Sequence, residues 1–245
     1  ATIGWTPSSD IVNALEPVSP PTQKGIFAFG SNSSGKFGVS NLMNSSGVIG
    51  ADVSAVGTAH NAGASCSYGG DKAIFGFGNS SGAGTARRYL AAAGYGVGLA
   101  IFGYGRDGGS GNLSMTNLVN DQGVVGSDVS GVGTARQALG AVSYGSTGQA
   151  MFAYGAAGPE VSVKNLVNNV GVVSADVSGV GTARKGLASA SYGGDKAAFC
   201  YGDSGPSPTS ISNLVSNSGV IANDVTGAAG STRVYVSGAG YSLSA

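Results

Sequence analysis

The chain has 245 residues, twelve basic and twelve acidic side chains, zero formal net charge and a single histidine. That balance, with no cluster of either sign, excludes the electrostatic footprint of a nucleic-acid or anionic-membrane binder, and no apolar run approaches the roughly 20 residues that cross a bilayer. Gly fills 45 positions and charged residues only 10%, but hydrophobic residues reach 42%, so the glycines read as turn and close-packing positions of an ordered chain.

Residues 1–23 belong to no repeat. Ile3, Trp5, Ile11, Val12 and Leu15 are apolar, and Pro17, Pro20 and Pro21 break the stretch. It lacks the basic n-region and apolar h-region of a secretion signal. It reads as an N-terminal extension, either a docking or covering segment or a tether.

Residues 24–245 repeat one unit. Lys24-Gly-Ile-Phe-Ala-Phe-Gly30 returns as Lys72-Ala-Ile-Phe-Gly-Phe-Gly78, Leu99-Ala-Ile-Phe-Gly-Tyr-Gly105, Gln149-Ala-Met-Phe-Ala-Tyr-Gly155 and Lys196-Ala-Ala-Phe-Cys-Tyr-Gly202. The shared Phe27, Phe75, Phe102, Phe152 and Phe199 stand 48, 27, 50 and 47 residues apart. A period near 48 built from short β-rich runs is the mark of a propeller or related array, since one such unit cannot bury its apolar face alone. The fullest copy, from Gln137 to Val180, reads as four antiparallel strands, a to d, bounded by Gly, Asn, Ser and Pro.

The first copy begins at strand b (Lys24 to Gly30), followed by c (Phe37 to Met43) and d (Gly47 to Val53), with no strand a before it. The last segment, Arg233 to Tyr241, matches strand a and has no b after it. Each end supplies what the other lacks. The expectation is a small all-β propeller of five blades, closed by pairing of the N- and C-terminal strands, which removes two exposed sheet edges. The short spacing between Phe75 and Phe102 predicts that the second blade keeps a and b and loses c and d.

Chemistry-bearing residues mostly fall in register. Gly103-Tyr-Gly-Arg-Asp-Gly108 has the letters of a dinucleotide fingerprint but no helical pattern after it, so it reads as the end of a strand. His60 occupies the place held by Arg87, Arg136, Arg184 and Arg233, which marks it as structural. Asp52, Asp128, Asp176 and Asp224 are mutually equivalent. Each is expected to cap a turn or to pair with the Arg eight residues on, stitching blades together; a ring of equivalent sugar or ion sites is the functional alternative. Asn41, Asn117, Asn165 and Asn213 recur in strand c, as an amide ladder would. Cys66 and Cys200 lie in blades that are not neighbours and read as small core residues. Asn-x-Ser triplets at Asn32, Asn44, Asn79 and Asn112 are expected by chance in so Asn- and Ser-rich a chain. The polar or aromatic residues outside the repeat, Trp5, Arg88, Arg106 and Asp107, are the candidate binding residues. No catalytic, metal or cofactor site is expected.

The unit from Gly181-Thr-Ala-Arg184 to Ala190-Ser-Tyr-Gly-Gly-Asp-Lys-Ala-Ala-Phe-Cys-Tyr-Gly202 resembles a kelch repeat, though it lacks the double Gly after strand b and the Trp of strand d. The closer resemblance is to Gly/Ser-rich repeats of tailed-bacteriophage virion and tail-fibre proteins, where units similar to Ala-Ile-Phe-Gly-Tyr-Gly, Thr-Asn-Leu-Val-Asn and Gly-Thr-Ala-Arg run in tandem. It covers residues 24–241. It implies a non-enzymatic virion structural or surface module assembled in the host cytoplasm, with other virion proteins as partners and contact to a host-surface glycan left open. A secreted carbohydrate-binding lectin with pockets between blades is the alternative, and an enzyme the weakest of the three readings.

Overall fold

The computed structural model describes residues 24–54, 57–79, 84–109, 111–226 and 230–240. Among these it contains no helix and thirteen strands in five antiparallel sheets. The first sheet pairs β1 (Gly25–Asn32) with β2 (Gly35–Met43), and the second pairs β3 (Ala64–Tyr68) with β4 (Lys72–Gly76). The third holds β5 (Ala91–Tyr95), β6 (Leu99–Gly103) and β7 (Thr116–Val119). The fourth holds β8 (Gly140–Tyr144), β9 (Gln149–Ala153) and β10 (Lys164–Val167), and the fifth β11 (Ala188–Tyr192), β12 (Lys196–Cys200) and β13 (Ser212–Val215).

Strand order in the third, fourth and fifth sheets follows the expected a-b-c, and among the described residues the second repeat has only a and b. The expected strand d is different. It returns along c through two isolated bridges, such as Thr116↔Val129 and Val119↔Val125, with no continuous ladder between them. The cause is a side chain: Asn117 Nδ2 donates to the Gly126 carbonyl and to Asp128, and this occupies the space where further rungs would lie.

The a-type strands lie side by side. Ser143 Oγ of β8 donates to the Gly94 carbonyl of β5, and Ser191 of β11 to the Ser143 carbonyl. Their run of Ala, Gly and Ser is a consequence of this closeness: a Cβ on Gly94 would meet the Ser67 carbonyl oxygen at 2.8 Å. Segment 233–240 continues the series against β11, where a Cβ on Gly238 would meet the Ser189 carbonyl oxygen at 2.8 Å. The expected ladder between this segment and β1 is absent among the described residues; β1 pairs with β2 alone.

The core lies between sheets. Phe102, Phe152 and Phe199 are fully buried. Each of the first two turns its ring onto a glycine of the preceding sheet, Gly76 and Gly103, where there is no room for a Cβ. Phe27 of the first sheet, by contrast, is 52% exposed. The Cys66 and Cys200 thiols are both free and half-buried, and burial pushes that of Cys66 up to about 12.

Candidate functional site

The aromatic that follows four of the b strands, Phe77, Tyr104, Tyr154 or Tyr201, and its counterpart Phe29 at the irregularity within β1 have φ between 62° and 65°, and each is followed by a Gly that also has positive φ. Bulky residues avoid this left-handed region, at a cost of about 1–3 kcal/mol. The reversal swings the ring out of its own sheet and under the basic residue that opens the next repeat. The Arg87 guanidinium lies 4.2 Å from the Phe77 centroid, Arg136 4.2 Å from Tyr104, Arg184 4.2 Å from Tyr154 and Arg233 4.8 Å from Tyr201. Desolvated contacts of this kind, those of Arg87, Arg136 and Arg184, contribute about 2 kcal/mol each, and the exposed Arg233 about 0.5–1 kcal/mol. His60 does the same by stacking on Phe29 at 3.9 Å.

Three of these arginines are at most 1% exposed. Arg136 donates from Nε to the Tyr154 carbonyl, from Nη1 to the Thr134 carbonyl, and from Nη2 to the Phe152 carbonyl and to Asn165 Oδ1. Asn165 Nδ2 in turn donates to Asp176, and Asp176 accepts from the Thr134 backbone and hydroxyl. Arg184, Asn213, Asp224 and Thr182 repeat the set; Arg87, Asn117, Asp128 and Thr85 repeat the chain from Arg to Asn to Asp to Thr, but Arg87 Nε and Nη1 are buried without a hydrogen-bond partner. Burial pulls the Arg87 guanidinium down to about 10, against the pull of Asp128, and it stays charged at neutral pH. Hydrogen bonds from Thr85 and Asn117 hold the Asp128 carboxyl below its usual range. For Asp176 and Asp224 desolvation works upward, but the Thr and Asn donors prevail and the carboxyls are again depressed.

Two expectations are corrected here. In the three full repeats each Asp is joined to the Arg that opens its own repeat, directly as Asp128 is to Arg87 at 3.8 Å or through Asn165 and Asn213 as Asp176 and Asp224 are, and not to the Arg eight residues on. The Asn residues form no amide ladder; Asn117, Asn165 and Asn213 each link one Arg to one Asp, and Asn41 bonds to Asp52. The recurrent Gly-Thr-Ala-Arg and Asn-Leu motifs announced this network, but residues some 40 apart meet only through tertiary structure.

The outer repeats hold incomplete networks. His60 belongs to the second sheet, which has no strand c and so no Asn–Asp pair to receive a guanidinium. Among the described residues, Asn41 and Asp52 of the first sheet bond to each other but meet no guanidinium, and the Arg233 side chain donates only to Ser231 in its own turn.

Of the candidate binding residues, Trp5 lies outside the described residues. Asp107 accepts from the backbone N–H groups of Gly109 and Gly111, so it shapes its own loop. Arg88 and Arg106 are brought together as antiparallel bridge partners. The aromatics that sequence reading passed over are Tyr89 and Tyr235. With Ala62, Ala138 and Gly186 they are the second residues after each repeat's opening His or Arg, and all five line a cavity of ≈ 240 Å³ at one end of the a-type strands. Each non-glycine among them has φ between 51° and 56°, and their amides hand a hydrogen bond from one repeat to the next: Tyr89 to Ala62, Ala138 to Tyr89, Gly186 to Ala138 and Tyr235 to Gly186. Tyr89 is 41% and Tyr235 67% exposed, their rings 6.5 Å apart. Position within the repeat singles these two out, because Ala or Gly fills the other three places. Among the described residues no three His, Cys, Asp or Glu side chains gather as a metal site would require.

These features define an all-β protein of propeller-like fold, with two exposed tyrosines beside a cavity at one end of its a-type strands. No protein-family model and no curated protein matches the sequence. The structure is similar to the solved structure of YjhT, with a TM-score of 0.51 and 10% identity over 71% of this chain and 67% of that one. The likeness is one of fold alone.

Proposed function

We propose that the chain is a non-enzymatic structural module of a bacteriophage virion, a fibre, tail or capsid decoration element that works through protein contacts. The observation that carries the non-enzymatic reading is the commitment of the recurring polar residues. Arg, Asn, Asp and Thr are spent on one another in each full repeat, whereas catalysis needs an asymmetric acid, base or nucleophile held ready for substrate. The virion assignment is supported by the likeness of the repeat units to phage Gly/Ser-rich repeats. In this reading residues 1–23 are the docking or covering segment.

The module is a ring of five blades, the second truncated, with the last inner strand joining β1 and β2. What supports closure is complementarity between unfinished parts: Arg233 over Tyr201 on one side, Asn41, Asp52 and the exposed Phe27 on the other. Joined, they reproduce the network of the full repeats. The test is isolation from the native source. Copurification with particles that bear capsid proteins is expected; recovery as a free secreted protein would refute the virion role.

A second reading, a lectin, is favoured by one observation, the exposed Tyr89 and Tyr235 pair, since flat aromatic surfaces at a cavity mouth suit sugar rings. Agglutination of cells by the free protein, lost in Tyr89→Ala, would support it.

A further inference from the structure

Arg88 and Arg106 exchange both backbone hydrogen bonds, each N–H to the other's carbonyl at 2.9 Å. Residues so paired carry their side chains on one face with Cβ atoms about 5 Å apart, and like charges placed there destabilise a sheet. The same bridge in the fourth sheet is Gln137↔Ala156, and in the fifth it is Lys185↔Asp203. There the cation is compensated twice: Lys185 Nζ lies 3.8 Å from Asp203 and 2.7 Å from Glu160, a residue from the loop of the preceding sheet.

The third sheet has the cations without the anions. Among the described residues neither guanidinium meets a carboxylate or any hydrogen-bond acceptor, and both Nε atoms are buried without a partner. Asp107, next in sequence, is spent on Gly109 and Gly111. The preceding linker, residues 79–84, carries no acid by sequence because the second repeat runs straight into Thr85. Both side chains are half-buried, so what a ligand can reach is the Nη end of each fork.

We propose that Arg88 and Arg106 form a binding site for an oxyanion, the phosphate or carboxylate group of a ligand. Two guanidiniums on one face offer paired N–H donors whose fork geometry matches either group. The Arg88 guanidinium also lies 5.8 Å from the centroid of Tyr89, at the mouth of the cavity shared with Tyr235, which gives the ligand's body a flat surface beside its charge. The site stands independently of the virion and lectin readings.

The experiment is a thermal-shift and calorimetric titration at low ionic strength with inorganic phosphate in one arm and acetate in the other. At least one anion is expected to bind and to raise the melting temperature, and the stronger arm identifies the group. Arg88→Gln and Arg106→Gln each weaken that binding about tenfold or more, while Lys185→Gln leaves it unchanged. In anion-free buffer both Gln variants melt no lower than the parent chain, because a repulsion has been removed; residues with a merely structural role would melt lower. If one variant fails to fold, the other carries the test. Absence of response to both anions, or a response retained by the Arg88→Gln/Arg106→Gln double variant, overturns the proposal.

Discussion

A buried arginine is costly unless its donors find acceptors, and Arg136 reaches three carbonyls and one amide oxygen. Replacing it by Met strands Asn165 and the Asp176 carboxylate together with those carbonyls. Loss of one partner of a buried charged network costs about 3–5 kcal/mol, so Arg136→Met is expected to lower the urea midpoint severely. His60→Ala removes only a stacked ring on Phe29, worth about 1 kcal/mol; a larger loss there than at Arg136 would contradict the network. Acid should act through the same residues. Asp128, Asp176 and Asp224 all have depressed folded-state pKa values, against about 3.9 in an unfolded chain. Their contribution is therefore complete above that value and is lost as pH falls through the folded pKa. Urea melts should show stability dropping below about pH 4, with a shallower acid slope in Asp176→Asn.

Strand a was legible from alternation because its burial alternates, with Ala91, Ala93 and Tyr95 of β5 pointing inward, whereas the b strands β6 and β9 are buried along four consecutive residues and were legible from their apolar runs and flanking turn residues. Strand d has the same β-branched composition yet forms only bridges, because the Asn and Asp side chains intervene, and no local pattern encodes that. Packing between sheets gives a sharp test. A Cβ on Gly103 would meet the Phe152 ring at 2.6 Å, whereas nothing lies within 4 Å of one on Gly108. Gly103→Val should cost about 1–3 kcal/mol through overpacking, and Gly108→Ala should be close to neutral in the same denaturation experiment.

For the molecule as a whole, the open question is the seam between Arg233 and the first sheet. If the ring closes, Arg233 and Asn41 are coupled as Arg184 and Asn213 are at 2.7 Å. A double-mutant cycle of Arg233→Met and Asn41→Ala should then return a coupling of about 1.5–3 kcal/mol, the range for a hydrogen bond to a charged group. Additive losses would mean an arc that does not close. A coupling that grows with protein concentration would place the bond between two copies.

By itself the sequence determined the all-β class, the repeat and the shortened second unit, because each is written in local periodicity and in the spacing of one aromatic motif. Tertiary structure alone decided which Asp meets which Arg, that Asn joins them, and that Arg88 and Arg106 face each other. These contacts join residues brought together across a strand pair or a whole repeat, and residue type does not reveal such a partner. Tyr89 and Tyr235 show the same division. Each looked like one more aromatic in a β-rich chain until the four a-type strands and the segment beside them placed both at one cavity.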